Sequence, residues 1–251
     1  MFLDQEVDSI VSKFWQGVPE KDKSFPRNLE SILWRLQITC VPLPDLDLQK
    51  VQWWLQTKKL ILPDRVKGQT RQVFGCLVAA RGKGYIFVDS KANSGEIRFT
   101  IAHETGHFLR DYLAPRQRAI EVLGSEITEV LDGNRQPTET ERVHAVLSCT
   151  KLYVYVDLLL RGPKNQILSN GTTQSETRAD QIAFELLAPH KDVLMKAQVE
   201  PFSLPSDEIV RRIDPILLFA FGLPQSTTHE YAKRIANYYQ RKENIRDWLG
   251  L

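Results

Sequence analysis

The sequence predicts an α+β fold: a small sheet lies beside one central helix, and a helical part follows at the C-terminal end. Three observations predict it. Residues 99–109 read as a helix in which polar side chains sit among apolar ones. Upstream, residues 72–90 have the β-branched, aromatic character of paired strands around a glycine-rich turn. Apolar residues at helical spacing dominate both ends of the chain.

The elements follow in order. Val7, Ile10, Val11 and Phe14 recur at helical spacing, and Leu29, Ile32, Leu33 and Leu36 do so after a break at 24–27, so residues 1 to about 40 are expected to be helical. Pro42 and Pro44 mark a connection. Residues 50–60 are expected to form a short helix or an irregular segment whose Trp53 and Trp54 pack on the core. Strands at 73–79 and 85–88 flank Arg81-Gly82-Lys83-Gly84, a hairpin signal. No Gly-Lys-Ser/Thr follows and no helix begins at the right place, so these glycines are not a phosphate loop. Asn93-Ser94-Gly95 caps a helix expected from about 96 to 113, with Ala114-Pro115 as its end.

Residues 119–131 alternate apolar and acidic at helical spacing until Asp132-Gly133-Asn134. Segments 143–147 and 152–160 read as strands, with 161–165 as a turn and 166–168 returning. In that context His144 is expected to be a surface or core histidine rather than a ligand or proton donor. Residues 175–188 form a second informative helix, with Ser175 as its cap and Pro189 as its stop. Ala179, Ala183, Leu186 and Leu187 give it a face of small residues that admits a close helix neighbour. The tail reads as helix, turn and helix. Ile209, Ile213, Ile216 and Leu217 precede Phe221-Gly222-Leu223-Pro224, and Ser226 caps a run through Tyr231, Ile235 and Tyr238. That outline is helix-turn-helix-like. Lys233, Arg234, Arg241 and Lys242 are interleaved with acids, so the tail is expected to close the core rather than to read a DNA groove.

The chemistry is concentrated in His103-Glu104-Thr105-Gly106-His107. Histidines four apart on a helix share a face, so both imidazoles can aim at one metal ion. Imidazole suits zinc, and a catalytic zinc has three protein ligands with a fourth position open to water. Glu104 lies between the histidines in angle and is the candidate general base. Glu176 is the candidate third ligand. Asp180, one turn on from Glu176, is placed to accept the far N–H of a ligand histidine. A strand running along the metal helix could receive an extended peptide through backbone hydrogen bonds.

Composition sets the frame. The 251 residues carry a formal net charge of +2, too little to argue for nucleic acid by itself. Cys40, Cys76 and Cys149 are widely spaced and odd in number, which fits reduced thiols in a cytosol. The acidic N-terminal sequence has no apolar signal core, and the longest apolar run, 216–222, is too short for a bilayer. A cytoplasmic protein without membrane contact is expected.

Together, Arg98-Phe99-Thr100-Ile101-Ala102-His103-Glu104-Thr105-Gly106-His107 and Glu176-x-x-Ala179-Asp180-x-x-Ala183-x-Glu185-Leu186-Leu187-x-Pro189 resemble the ImmA/IrrE family of metallopeptidases. The resemblance runs from about residue 30 to the C-terminus and is most specific in these two helices. It implies a zincin-like, gluzincin-type core with His103, His107 and Glu176 on zinc, Glu104 as general base and Asp180 behind a ligand. Manganese is the alternative ion. The domain division expected is 1–200 for the peptidase, with an insertion at about 115–173, and 201–251 for a helical subdomain. The resemblance further implies a helix-turn-helix repressor as substrate, in a stress or mobile-element response. The competing readings are a DNA- or partner-binding regulator with a structural or vestigial metal site, or a toxin–antitoxin component. The segment between His107 and Glu176 is longer than in compact members. Tyr112, His144, Tyr153, Tyr155 and His190 are the candidates to stabilise an oxyanion, and the sequence does not choose among them.

Overall fold

The computed structural model describes residues 5–60, 73–159, 173–200 and 204–249, with the backbone alone for 159, 173 and 241–249. Four strands form one sheet: β1 (Ile38–Leu43), β2 (Gly75–Ala80), β3 (Lys83–Asp89) and β4 (Tyr155–Leu159), in the order β1-β3-β2-β4. β1 runs parallel to β3, while β2 is antiparallel to both β3 and β4. The β2–β3 hairpin turns at Arg81 and Gly82, both at positive φ (53° and 76°). Positive φ at both central positions is the mark of the tight turn whose twist matches its strands. Pro42 falls inside β1 rather than in a connection. It is tolerated there because β1 is an edge strand among the described residues.

The two faces of the sheet bury different side chains, as the alternation along a strand requires. Cys76, Val78, Phe87 and Val156 meet Val51 and Leu55 of α2 (Leu48–Thr57). Trp54 packs on Tyr85 and Phe87, but Trp53 is 65% exposed and does not join the core. On the other face Leu77, Ala79, Ile86, Val88 and Tyr155 share one cluster with Phe99, Ile101, Ala102, Ile182 and Phe184. These last belong to α3 (Ser94–His107) and α7 (Thr173–Leu187). The N-terminal helix α1 (Gln5–Trp15) adds Val7 and Phe14. The second helix expected before residue 40 is instead two short 3-10 turns, Leu29–Ser31 and Leu33–Leu36.

Downstream of α3 the chain departs further from expectation. Ala114-Pro115 does not stop the helix. A π-helical turn, Phe108–Leu113, is followed directly by α4 (Ala114–Leu123), with Pro115 in its first turn. A proline there lacks only an N–H that has no helical partner. After α5 (Ile127–Leu131), residues 143–147 are helical rather than extended. They belong to α6 (Glu139–Leu147), which opens with Thr138 and Glu141 capping each other's backbone N–H groups. His144 accordingly lies on a helix, against Ser148 Oγ at 3.2 Å. The expected turn at 161–165 and return at 166–168 fall outside the described residues.

The chain closes with α8 (His190–Lys196), α9 (Ser206–Phe219) and α10 (Gln225–Leu249). Ile209, Ile213, Leu217, Tyr231, Ala232, Ile235 and Ala236 enter the same cluster as α3 and α7. The turn between α9 and α10 holds Gly222 at φ 66°, and its carbonyl accepts from Arg98 Nη2 of α3 at 2.7 Å. No described helix is long and apolar enough to cross a membrane, and Cys40, Cys76 and Cys149 are free thiols.

Candidate metal centre

α3 is buried almost all the way round: Phe99 to His107 are buried at every position. A helix so enclosed is expected to be apolar, so its polar residues need partners. Thr105 donates to the Ile101 carbonyl at 2.7 Å. His103 and His107 instead converge with Glu176 of α7, and the Glu104 carboxylate lies beside Gly75 of β2. Gly106 makes the crossing possible. A Cβ there would meet the Ala179 carbonyl oxygen at 3.2 Å and the Ala179 Cα at 3.3 Å, so the two backbones touch through their smallest residues.

That crossing delivers Glu176. The donor atoms of His103, His107 and Glu176 all lie within 4.8 Å of one another, and all three residues are buried. His103 Nε2 and His107 Nε2 are 3.2 Å apart. Glu176 Oε2 is 3.3 Å from His103 Nε2, and Oε1 is 3.6 Å from His107 Nε2. Zinc bonds of 2.0–2.1 Å arranged as a tetrahedron leave neighbouring donors about 3.3 Å apart. The observed spacings are of that size.

Both imidazoles are held from behind. His103 Nδ1 donates to Asp180 Oδ1 at 2.9 Å, and His107 Nδ1 to Asp111 Oδ2 at 2.8 Å. A proton on each Nδ1 leaves the Nε2 lone pairs facing the common point. Asp180 thus stands directly behind His103. Asp111 was missed, although His107 and Asp111 show the same four-residue spacing as Glu176 and Asp180. Ser175 is not a cap: it lies inside α7, and its Oγ donates to Asp111 Oδ2 at 3.0 Å.

The electrostatics match a cation site. Burial pulls the His103 pKa down, but the carboxylates of Asp180 and Glu176 outweigh it and raise it to about 9. Burial raises Glu176, and its hydrogen bonds to His103 and His107 overcome that and lower it to about 2. Glu104 has no such support. Burial lifts its carboxyl to about 8, and both oxygens are inaccessible with no hydrogen-bond partner. A cation between the imidazoles favours the charged form of Glu104. Two imidazoles, one carboxylate, two backing carboxylates and an orphaned fourth acid make a donor set that fits zinc.

β4 brings in another residue that sequence reasoning passed over. Asp157 Oδ2 lies 3.3 Å from His107 Nε2. A cleft of about 430 Å³ opens here, lined in part by Asp111, Tyr155, Asp157 and Ser175, with Arg110 and Lys151 also along it. A hollow of about 650 Å³ between α9 and α10 includes Asp214, His229 and Lys233, but lies away from the convergent donors. The five oxyanion candidates now separate. Tyr112 OH accepts from the Gly82 N–H, His190 is bound to Glu185, Tyr153 OH donates to Gln136, and His144 sits on α6. Tyr155 alone of the five lines this cleft, and its hydroxyl donates to Asp157 Oδ1 at 3.4 Å. Compared with family models, curated proteins and solved structures, the chain matches none.

Proposed function

We propose that this protein is a zinc-dependent endopeptidase with a zincin-like core, in line with its motif resemblance to the ImmA/IrrE family. The observation that carries the reading is the buried His103, His107 and Glu176 group with the unpartnered Glu104 carboxylate beside it. His103, His107 and Glu176 hold the ion, with manganese as the alternative metal. A bound zinc supplies Lewis acidity, bringing a water's pKa to about 7 and polarising a carbonyl.

The remaining work falls to the chain. Glu104 takes the proton of the attacking water and passes it to the departing amine nitrogen. Asp180 and Asp111 hold the Nδ1 protons and fix the ring orientations, so that each Nε2 points to the common site. The substrate proposed is a helix-turn-helix repressor in the cytoplasm, cut in a stress or mobile-element response. A DNA-binding reading gains no support from the described part of α9 and α10. Arg211 and Arg212 pair with Glu208, and Arg234 with Glu230, each within its own helix.

Glu104→Gln tests the reading, with a peptide library made from the host's own proteins and read by mass spectrometry. Zinc-loaded wild type should cut. The variant should keep its zinc and lose about a hundredfold or more in rate, the usual contribution of a general base. Equal cutting by both, or none by the zinc-loaded wild type, contradicts it.

A further inference from the structure

We infer that Asp157 is a fourth protein ligand of the metal, so that the resting centre is closed and water enters only when Asp157 lets go. The inference rests on the metal-centre reading above and adds its regulation. Asp157 Oδ2 stands 3.3 Å from His107 Nε2, the same spacing that Glu176 Oε2 keeps from His103 Nε2. Toward His107 that is the edge of a tetrahedral zinc site, about 3.3 Å; Asp157 stands just outside the three residues whose donor atoms already lie within 4.8 Å of one another. The two oxygens of Asp157 are treated differently. Oδ1 accepts from the Tyr155 hydroxyl, while Oδ2 is buried with no hydrogen-bond partner. A carboxylate anchored through one oxygen and bare at the other, with the bare one against a ligand histidine, is arranged as metal-binding carboxylates are.

The strand explains how it got there. Along β4, Val156 and Leu158 belong with the α2 side of the sheet, and Tyr155 with the α3 side. Asp157 therefore faces α3, paired in register with the fully buried Leu77. An acid on that face is not solvated, and buried charges are paired or bind metal. The three other donors come from α3 and α7; Asp157 comes from the sheet. It also stands outermost: its side chain is 18% exposed, against 0% for His107 and 8% for Glu176. Asp157 lies between the donors and the cleft. Four protein ligands close a zinc site, whereas hydrolysis needs an open position. Displacement of Asp157 by water or by a peptide carbonyl is then the step that makes the centre competent.

The full chain loaded with Co²⁺ tests this, by visible absorption and by competition with a chelator. Asp157→Asn should shift the cobalt bands and weaken binding about tenfold to a hundredfold. Asp180→Asn, which loosens His103 without changing the ligand set, should weaken binding and leave the bands in place. Asp157→Cys should bring a thiolate-to-cobalt charge-transfer absorption in the near ultraviolet. Unchanged bands in Asp157→Asn, or no such absorption in Asp157→Cys, overturns the fourth ligand while the three-residue centre stands. Wild type that binds neither Co²⁺ nor Zn²⁺ overturns both.

Discussion

A side chain at Gly75 would run into the Thr100 methyl and lie 2.9 Å from Glu104 Oε1, so β2 leaves out a side chain where Glu104, the proposed general base, needs room. Gly75→Ala should cost about 1–3 kcal/mol in denaturant unfolding, as overpacking does. It should also lower peptide hydrolysis, because Glu104 must move; unchanged stability and rate would count against the assignment. The imidazoles make a second prediction. His103 has its pKa raised to about 9 in the metal-free protein, so at pH 7 it is protonated, and a ligand must be neutral. Zinc binding should therefore release protons, and affinity should rise as pH climbs from 7 towards 9, by up to about tenfold per unit for each proton lost. Calorimetry in buffers of different ionisation enthalpy measures this. Binding without proton release would mean that His103 is not a ligand. Histidines, glutamates and backing acids at four-residue spacing can be read from a sequence. Asp157 cannot, because only the return of β4 to the sheet brings it within reach of His107.

At the level of elements, the close crossing of α3 and α7 sets the ligand geometry. Gly106→Val would press on Ala179 and Ile182, pushing the helices apart and carrying Glu176 away from both histidines. A loss of about 1–3 kcal/mol in unfolding, with weaker zinc binding, is expected by chemical denaturation and chelator competition. A variant that keeps wild-type zinc affinity would mean that the crossing does not position Glu176. The small residues of α7 and the hairpin at Arg81-Gly82 were legible because local chemistry decides them. α6 was misread for a physical reason. From the sequence, segment 143–147 reads as a strand, yet Val143, Val146 and Leu147 are 58%, 77% and 79% exposed on a helix. Burial does not decide that segment; the reciprocal cap between Thr138 and Glu141 does. Pro115 misled in the same way, since a wider turn before it lets the helical path continue.

Over the whole molecule, one cluster joins α3 and α7 to α9 and α10, so the candidate centre and the C-terminal helices stabilise each other. Tyr231 is the junction. Its hydroxyl proton lies between two acceptors, the Ala188 carbonyl at 2.7 Å and Glu185 Oε1 at 3.0 Å, and its ring stacks on Phe184. Tyr231→Phe keeps the ring and strips a buried bond, so unfolding should cost about 1–3 kcal/mol less than in wild type. A melt unchanged within error would mean that the junction contributes little. The sequence made the α+β class and the helical tail legible, because periodicity reports them. It left out how the tail is fastened, because Arg98 meeting Gly222 and Tyr231 meeting Glu185 join residues far apart in the chain.

The most direct measurement is the metal content of the purified protein beside that of Glu176→Gln, with zinc affinity for each. About one zinc per chain in wild type, bound at least tenfold more weakly in the variant, is the predicted result. Wild type that takes up no metal after zinc addition, or full occupancy that ignores the substitution, contradicts a centre built from His103, His107 and Glu176.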